Sequence, residues 1–236
     1  MAIIQNGSSL FTGDAGSGPS EIRRYLIEQD LVEAIVQLPT DLFYNTGIAT
    51  YIWVVSKDKA EHRLGKVQLI DASKCFVKRR KNIGNKRVDL DDACIALIVK
   101  AYNECANNEY INGLLSVESK VFDNNFFGYT KVCVETALAD EKGNLILKKG
   151  KPQPVKGKTD SDIIPLSENI EEYFAKNVLP YNVNAYMDRS KDKIGYEIPF
   201  TRLFYKFVAP RSSDEIFEEF KTLSIEEEKL MKEILG

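Results

Sequence analysis

The chain has 236 residues, 44% of them hydrophobic and 28% charged, with a formal net charge of −3. That composition suits a globular protein of one large or two small domains, and it excludes a protein drawn to nucleic acid by its overall field. No apolar run reaches the roughly eighteen residues of a membrane span, so no membrane partner is expected.

In chain order, residues 2–5 read as a short apolar strand, entered as if midway through a buried one. A Gly/Ser-rich loop follows over residues 6–19. Ser20 is expected to cap a helix, with Ile22, Tyr25 and Leu26 facing in and Arg23 and Arg24 facing water. Residues 31–38 (LVEAIVQL) and 49–56 (ATYIWVVS) are apolar at nearly every position. Such runs, rich in Val, Ile, Tyr and Trp, predict strands buried on both faces. Between them the loop 39–48 (PTDLFYNTGI) carries Phe43 and Tyr44 at its middle, aromatics that need either a core or a flat ligand. Another strand is expected at 66–70. Strand, loop, helix and strand in alternation predict part of an α/β sheet. Strands buried on two sides demand more sheet than this stretch supplies.

Residues 73–87 read as a basic connector, and Asp89 as the cap of a helix over 90–107. Short β-like runs follow at 119–122, 131–137 and 145–149, with a turn at Gly143-Asn144. Residues 150–162 are polar and read as a mobile loop. Ser167 or Asn169 starts a helix ending near 178. Two helices are expected at 212–221 and 224–235, the second opened by a Ser224/Glu227 capping box.

Several features invite chemistry. Asp14-Ala-Gly-Ser-Gly18 resembles a glycine loop, but mostly polar residues separate it from the first strand. A cofactor-cradling loop leaves its strand directly, so the plainer reading is a flexible loop at the carboxyl edge of the sheet. Lys78, Arg79, Arg80, Lys81, Lys86 and Arg87 form the densest basic stretch. Such a stretch can neutralise DNA phosphates, or it can be a solvated loop balanced by Asp89, Asp91 and Asp92. Phe217, Phe220, Leu230, Met231 and Ile234 recur at near-helical spacing, which fits either partner docking or packing on the chain's own domain. His62 sits between Glu61 and Arg63 and reads as solvated. Cys75, Cys94, Cys105 and Cys133 contain no CxxC pair, which argues against zinc and for reduced thiols. The first residues, MAIIQNGSS, lack the charged and long apolar parts of a secretory signal, so a cytoplasmic location is expected.

The runs LPTDLFYNTGIATYIWVVSKDK, AIIQNGSSLFTGDAGSGPSEIRRYLIE, KVQLIDASKCFVKRRKNIGNKR, SKVFDNNFFGY and IGYEIPFTRLFYKF together resemble the modification subunit of type I restriction-modification systems. Those subunits are S-adenosylmethionine-dependent adenine-N6 DNA methyltransferases. The likeness covers essentially the whole chain but only the C-terminal half of such a subunit. It implies the distal part of a Rossmann-like methyltransferase sheet over residues 1–72. A mixed, mainly helical C-terminal region over residues 73–236 would then contact DNA and the specificity subunit, with the restriction subunit as a further partner. It implies that S-adenosylmethionine is bound mainly by an N-terminal half, with no catalytic residue in this stretch, because the family's Asp-Pro-x-x-Gly loop and Asn-Pro-Pro motif are absent here. Phe43 matches the loop aromatic that packs on the target adenine, and Tyr44 is its neighbour. The residues alone leave Phe43 equally readable as a core anchor. A non-catalytic DNA- or protein-interaction module stands as the alternative.

Overall fold

The computed structural model describes residues 1–140, 145–148 and 150–235. They form two compact units, residues 1–200 and residues 201–236.

The first unit begins with β1 (Ala2–Asn6), the single turn α1 (Ser8–Phe11) and α2 (Gly18–Glu28). Next come β2 (Val32–Gln37), β3 (Thr50–Val55) and β4 (Lys66–Lys74). The hairpin strands β5 (Val77–Ile83) and β6 (Lys86–Asp89) precede α3 (Asp92–Glu104), β7 (Asn108–Asn112) and β8 (Leu115–Asp123). A six-stranded sheet has the order β1-β3-β2-β4-β8-β7. Strands β2 and β4 run parallel, with Val36 opposite Ile70, and the other neighbours are antiparallel. The architecture is mixed α/β. The expected division at residue 72 falls inside β4.

The two-sided burial expected of the first long run is present: Val32, Ala34, Ile35 and Val36 are all buried. Val36 meets α3 through a core that includes Ile70, Cys94, Leu97, Ala101 and Val117. β1 differs from expectation. All of its residues are exposed, because it is the outermost strand of the sheet and, among the described residues, pairs only with β3.

Helix α2 is turned about its axis relative to its hydrophobic pattern. Ser17 is the N-cap, and Ser20 lies inside the helix, where its hydroxyl accepts from the Tyr196 N–H at 3.1 Å. Arg23 is buried at 3% exposure, whereas Ile22 and Tyr25 are 63% and 62% exposed. The backbone opposite α2 explains the inversion. Arg23 Nε donates to the Tyr196 carbonyl at 2.6 Å, and a terminal guanidinium nitrogen donates to the Ser9 carbonyl at 3.2 Å. Buried carbonyls need donors, and here that need outweighs the apolar pattern of one short helix.

Asp91, not Asp89, caps α3, its carboxylate accepting from Cys94 N–H at 2.9 Å. A buried polar network then ties α3 to the sheet. Gln68 Nε2 donates to the Ala101 carbonyl at 2.7 Å and to Ser119 Oγ at 2.8 Å. Its Oε1 accepts from Arg63 at 3.0 Å, and Arg63 also lies over the Tyr102 ring, 4.1 Å from its centroid. Burial first, and then the hydrogen bond to Glu33, push the Tyr102 phenol up to about 12. Gln68→Leu keeps most of the volume but strands three polar partners. It should lower unfolding free energy by about 2 kcal/mol, read as a lower denaturant midpoint at unchanged slope. An unchanged midpoint would show that water replaces the amide at no cost.

The rest of the unit is a second sheet built on β9 (Gly128–Ala137). Strands β10 (Leu147–Lys148) and β11 (Lys151–Pro152) form a small separate pair. β12 (Pro154–Pro165) follows, then α4 (Ile170–Asn177), β13 (Ala185–Met187) and β14 (Lys193–Tyr196). β12 flanks β9 on one side, and β13 and β14 share the other. Val132, Val134, Ile164 and Phe174 form the core of this sheet. Most of the stretch read as a mobile polar loop is therefore strand. Its polar side chains are largely exposed, and pairing with β9 supplies the backbone partners that composition could not announce. The turn expected at Gly143-Asn144 lies outside the described residues.

The second unit follows the start of α5 (Phe200–Phe204) and holds α6 (Ser213–Leu235), one continuous helix where two were expected. Ser224 sits in mid-helix and caps nothing. No Gly or Pro interrupts residues 213–235, so nothing stops the helix between the two expected segments. No helix among the described residues is long and apolar enough to cross a membrane.

Candidate nucleic-acid interface

The parallel pair β2 and β4 directs two connections to one edge of the sheet. The loop 39–48 leaves the carboxyl end of β2, and the β5–β6 hairpin leaves the carboxyl end of β4. In open α/β sheets ligands bind beyond the carboxyl ends of the strands. The basic residues read as a connector thus form a two-stranded ribbon beside the aromatic loop.

Backbone bonds latch hairpin and loop together. Asn85 N–H donates to the Tyr44 carbonyl at 3.0 Å, and Arg87 N–H donates to the Asp41 carbonyl at 2.9 Å. Gly84, with φ +58°, passes so close that a Cβ there would stand 2.7 Å from the Tyr44 carbonyl oxygen. Only glycine fits both the left-handed backbone and that approach. Asp41 also has a positive φ, +58°, a conformation uncommon for a residue with a side chain. The loop is held in one shape by its neighbour.

That shape separates the two aromatics. Phe43 is half-buried and packs on the core cluster of Val36, Leu42 and Val88. Tyr44 is 55% exposed, and the Lys86 ammonium lies 5.3 Å from its ring centroid. Asn45, Thr46 and Gly47 complete the turn, where Phe43 and Thr46 form a β-bridge.

The basic residues also divide. Arg79 and Lys86 pair with Asp89 at 2.5 and 2.9 Å, and their hydrogen bonds, Lys86 first, hold its carboxyl below the ordinary range. Lys78, Arg80, Lys81 and Arg87 are exposed. The ribbon therefore has an internal ion-pair cluster and an outer set of cations.

Other sequence candidates do not join this edge. In the loop Asp14–Gly18, Asp14 bonds to Lys131 at 2.7 Å, which, ahead of its bond from the Ala15 N–H, lowers the Asp14 pKa. Helix α1 stands between β1 and that loop, so the glycines do not follow a buried strand. His62 is exposed on a 3₁₀ turn. All four cysteines are free, and among the described residues no group of three or more His, Cys, Asp or Glu is arranged to hold a metal. Phe217, Phe220, Leu230, Met231 and Ile234 all lie on α6, each about half exposed or more.

Sequence reading missed the latch between hairpin and loop, the buried Arg23 and the Gln68 network. Gly84 beside Asn85 was the available signal for the hairpin turn. The other two depend on which backbone carbonyls end up facing them, and no local pattern marks that.

Residues 1–142 match the family model described as N-6 DNA Methylase. The chain is 32% identical over 173 residues to the type I restriction enzyme MjaIX methylase subunit of Methanocaldococcus jannaschii, covering 72% of this chain and 27% of that protein. It is 37% identical over 106 residues to the MpnII methylase subunit of Mycoplasma pneumoniae, covering 44% of this chain and 18% of that one. A solved type I methyltransferase subunit from Streptococcus thermophilus aligns with a TM-score of 0.42 at 26% identity, over 52% of this chain and 22% of that one. The chain thus spans about a quarter or less of the length of these relatives. On the match over residues 1–142, it belongs to the N-6 DNA methylase family, with type I methylase subunits among its relatives.

Proposed function

We propose that the chain is the C-terminal portion of a DNA adenine-N6 methyltransferase subunit of a type I restriction-modification system. In this reading it supplies the loop that receives the target base, the ribbon that contacts DNA phosphates, and a docking helix. Its partners are DNA and the specificity and restriction subunits. The observation that carries the reading is the latch: an aromatic loop and a cationic ribbon share one sheet edge and are bonded to each other.

The chemistry explains the pairing. An adenine amine is a poor nucleophile, because its lone pair is delocalised into the ring, and it cannot be reached inside a duplex. A base methyltransferase therefore extrudes the base and holds it by stacking. A base–aromatic stack contributes about 1–3 kcal/mol, and phosphate contacts hold the strand in register. Tyr44 is the exposed ring of this loop, whereas Phe43 is engaged by the core, so we assign stacking to Tyr44 and loop anchoring to Phe43.

S-adenosylmethionine would supply the methyl group in such an enzyme. The residues here do not fit it: the glycine loop follows α1 and is tied to Lys131, and no Asn-Pro-Pro is present. Cofactor and catalytic groups then belong to a further part of the methyltransferase. An open apolar cleft of about 340 Å³ beside β1, lined by Ile3, Ile22, Leu26, Trp53 and Val55, supports a further part that covers it.

The test is the salt dependence of DNA binding in the complete enzyme. Arg80, Lys81 and Arg87 are changed to Ala singly. Removing one phosphate-neutralising cation should reduce the log–log slope by about 0.9. Arg79→Ala should disturb the hairpin more than the slope, because Arg79 is paired with Asp89. Slopes unchanged in all three outer variants would reduce the ribbon to a solvated hairpin.

A further inference from the structure

Among the described residues of its own unit, no other element covers the apolar face of helix α6. All of its residues but Ser224 are exposed. Ile216, Phe220, Leu223, Leu230 and Ile234 keep a heptad period. Ile216, Leu223 and Leu230 repeat at one core position, and Phe220, Glu227 and Ile234 at the other. This 4-3-4-3-4 spacing is the seam of a coiled coil, with one glutamate in its centre. Glu219, Glu226 and Glu233 run along one flank, and Phe217, Ser224 and Met231 along the other. The helix carries eight acidic residues against three lysines.

These charges decide what can lie on the seam. In a parallel pair of α6 helices Glu227 would face Glu227, and the flanking glutamates would face Ser224 and Met231 instead of cations. In an antiparallel pair the glutamate flanks would face each other. Both arrangements put like charges together or leave a buried carboxylate uncompensated. A second copy of this chain is therefore a poor occupant.

We propose that the α6 seam is a docking site for a basic amphipathic helix of another protein. That helix has aliphatic core positions, Lys or Arg along the flank facing Glu226 and Glu233, and a cation at the layer of Glu227. The inference rests on the docking reading of α6 and adds to it the partner's charge and the role of Glu227 as the residue that sets register. Glu219, at the same flank, is already paired with Arg211.

The test uses the full chain and two synthetic helical peptides of about four heptads. Both carry Leu and Ile at core positions. One has Lys on its flanks and at the central core position, and the other has Glu there. Fluorescence anisotropy should show binding of the lysine peptide, weakened about tenfold when salt is raised well beyond the screening range, and none of the glutamate peptide. Glu226→Lys with Glu227→Lys and Glu233→Lys should invert that preference. Sedimentation should find the wild-type chain free of self-association through α6, and Glu227→Leu should introduce it. Equal binding of both peptides, binding of neither, or wild-type self-association abolished by disrupting the seam would overturn the proposal. If neither peptide binds, docking by α6 fails as a whole. If both bind, docking stands and only the charge assignment falls. Neither result bears on the salt slope of the ribbon.

Discussion

Arg23→Ala should lower the unfolding free energy by about 4 kcal/mol. The arginine spans from α2 to β14, and its removal leaves the Tyr196 and Ser9 carbonyls without their donor. Each bond from a charged donor contributes about 1.5–3 kcal/mol, and a stranded buried carbonyl costs a comparable amount. Burial disfavours the guanidinium's charge and pulls its pKa below the ordinary value, so the bonds must outweigh that cost. Arg23→Met separates the causes. It keeps the aliphatic stem, and if packing were the reason for the arginine it would restore stability. The hydrogen-bond account predicts that Met stays close to Ala. Denaturant midpoints for the two variants, with amide exchange at β14, make the measurement. A Met variant as stable as wild type would refute the account.

The two loop aromatics should respond in opposite ways. In the complete enzyme Tyr44→Ala should leave the melting temperature nearly unchanged, because a ring 55% exposed has little packing to lose. Methylation in single turnover should fall by an amount equivalent to about 1–3 kcal/mol. Tyr44→Phe and Tyr44→Trp should recover much of it, since any aromatic face can stack. Phe43→Ala should instead lower the melting temperature. A fully buried Phe→Ala costs about 3–5 kcal/mol, and a half-buried ring sets the expected loss at about 2 kcal/mol. Activity should then follow the folded fraction. If Phe43→Ala abolishes methylation at full stability while Tyr44→Ala is silent, the assignment is reversed, and Phe43 swings out of the core to meet the base.

Strands β2, β3 and β4 of the first sheet are legible because burial leaves a nearly unbroken apolar run, as in residues 31–38, whereas β7 carries no such run. The candidate loop was legible too, because Phe43 and Tyr44 stand out in a polar turn between two such runs. What sequence could not show is that one of them packs on the core and the other stays exposed. Two adjacent aromatics look alike until the hairpin fixes the backbone and sends one ring inward. The orientation of α2 was misread for a related reason. Hydrophobic pattern reports where apolar groups could go, whereas Arg23 answers to the Tyr196 carbonyl on a strand far along the chain and to the Ser9 carbonyl in α1. Residues 150–162 were misread because an edge strand with exposed polar side chains has the composition of a loop. Only its partner β9 distinguishes the two.

The exposed outer edge of β1 bears on how the protein keeps from associating with itself. A free strand edge presents a row of unpaired backbone donors and acceptors, a template on which another chain can lay a strand. Natural sheets usually blunt such edges with lysine, proline or a bulge. β1, with the sequence AIIQN, has no charge and no proline, and its pairing with β3 runs without a bulge. Its side chains Ile3 and Ile4 are 42% and 50% exposed, so each face offers an apolar grip. An edge without these safeguards is suited to being covered. A segment lying on it would also shield the strand from edge-to-edge association, the hazard that an uncovered apolar edge carries.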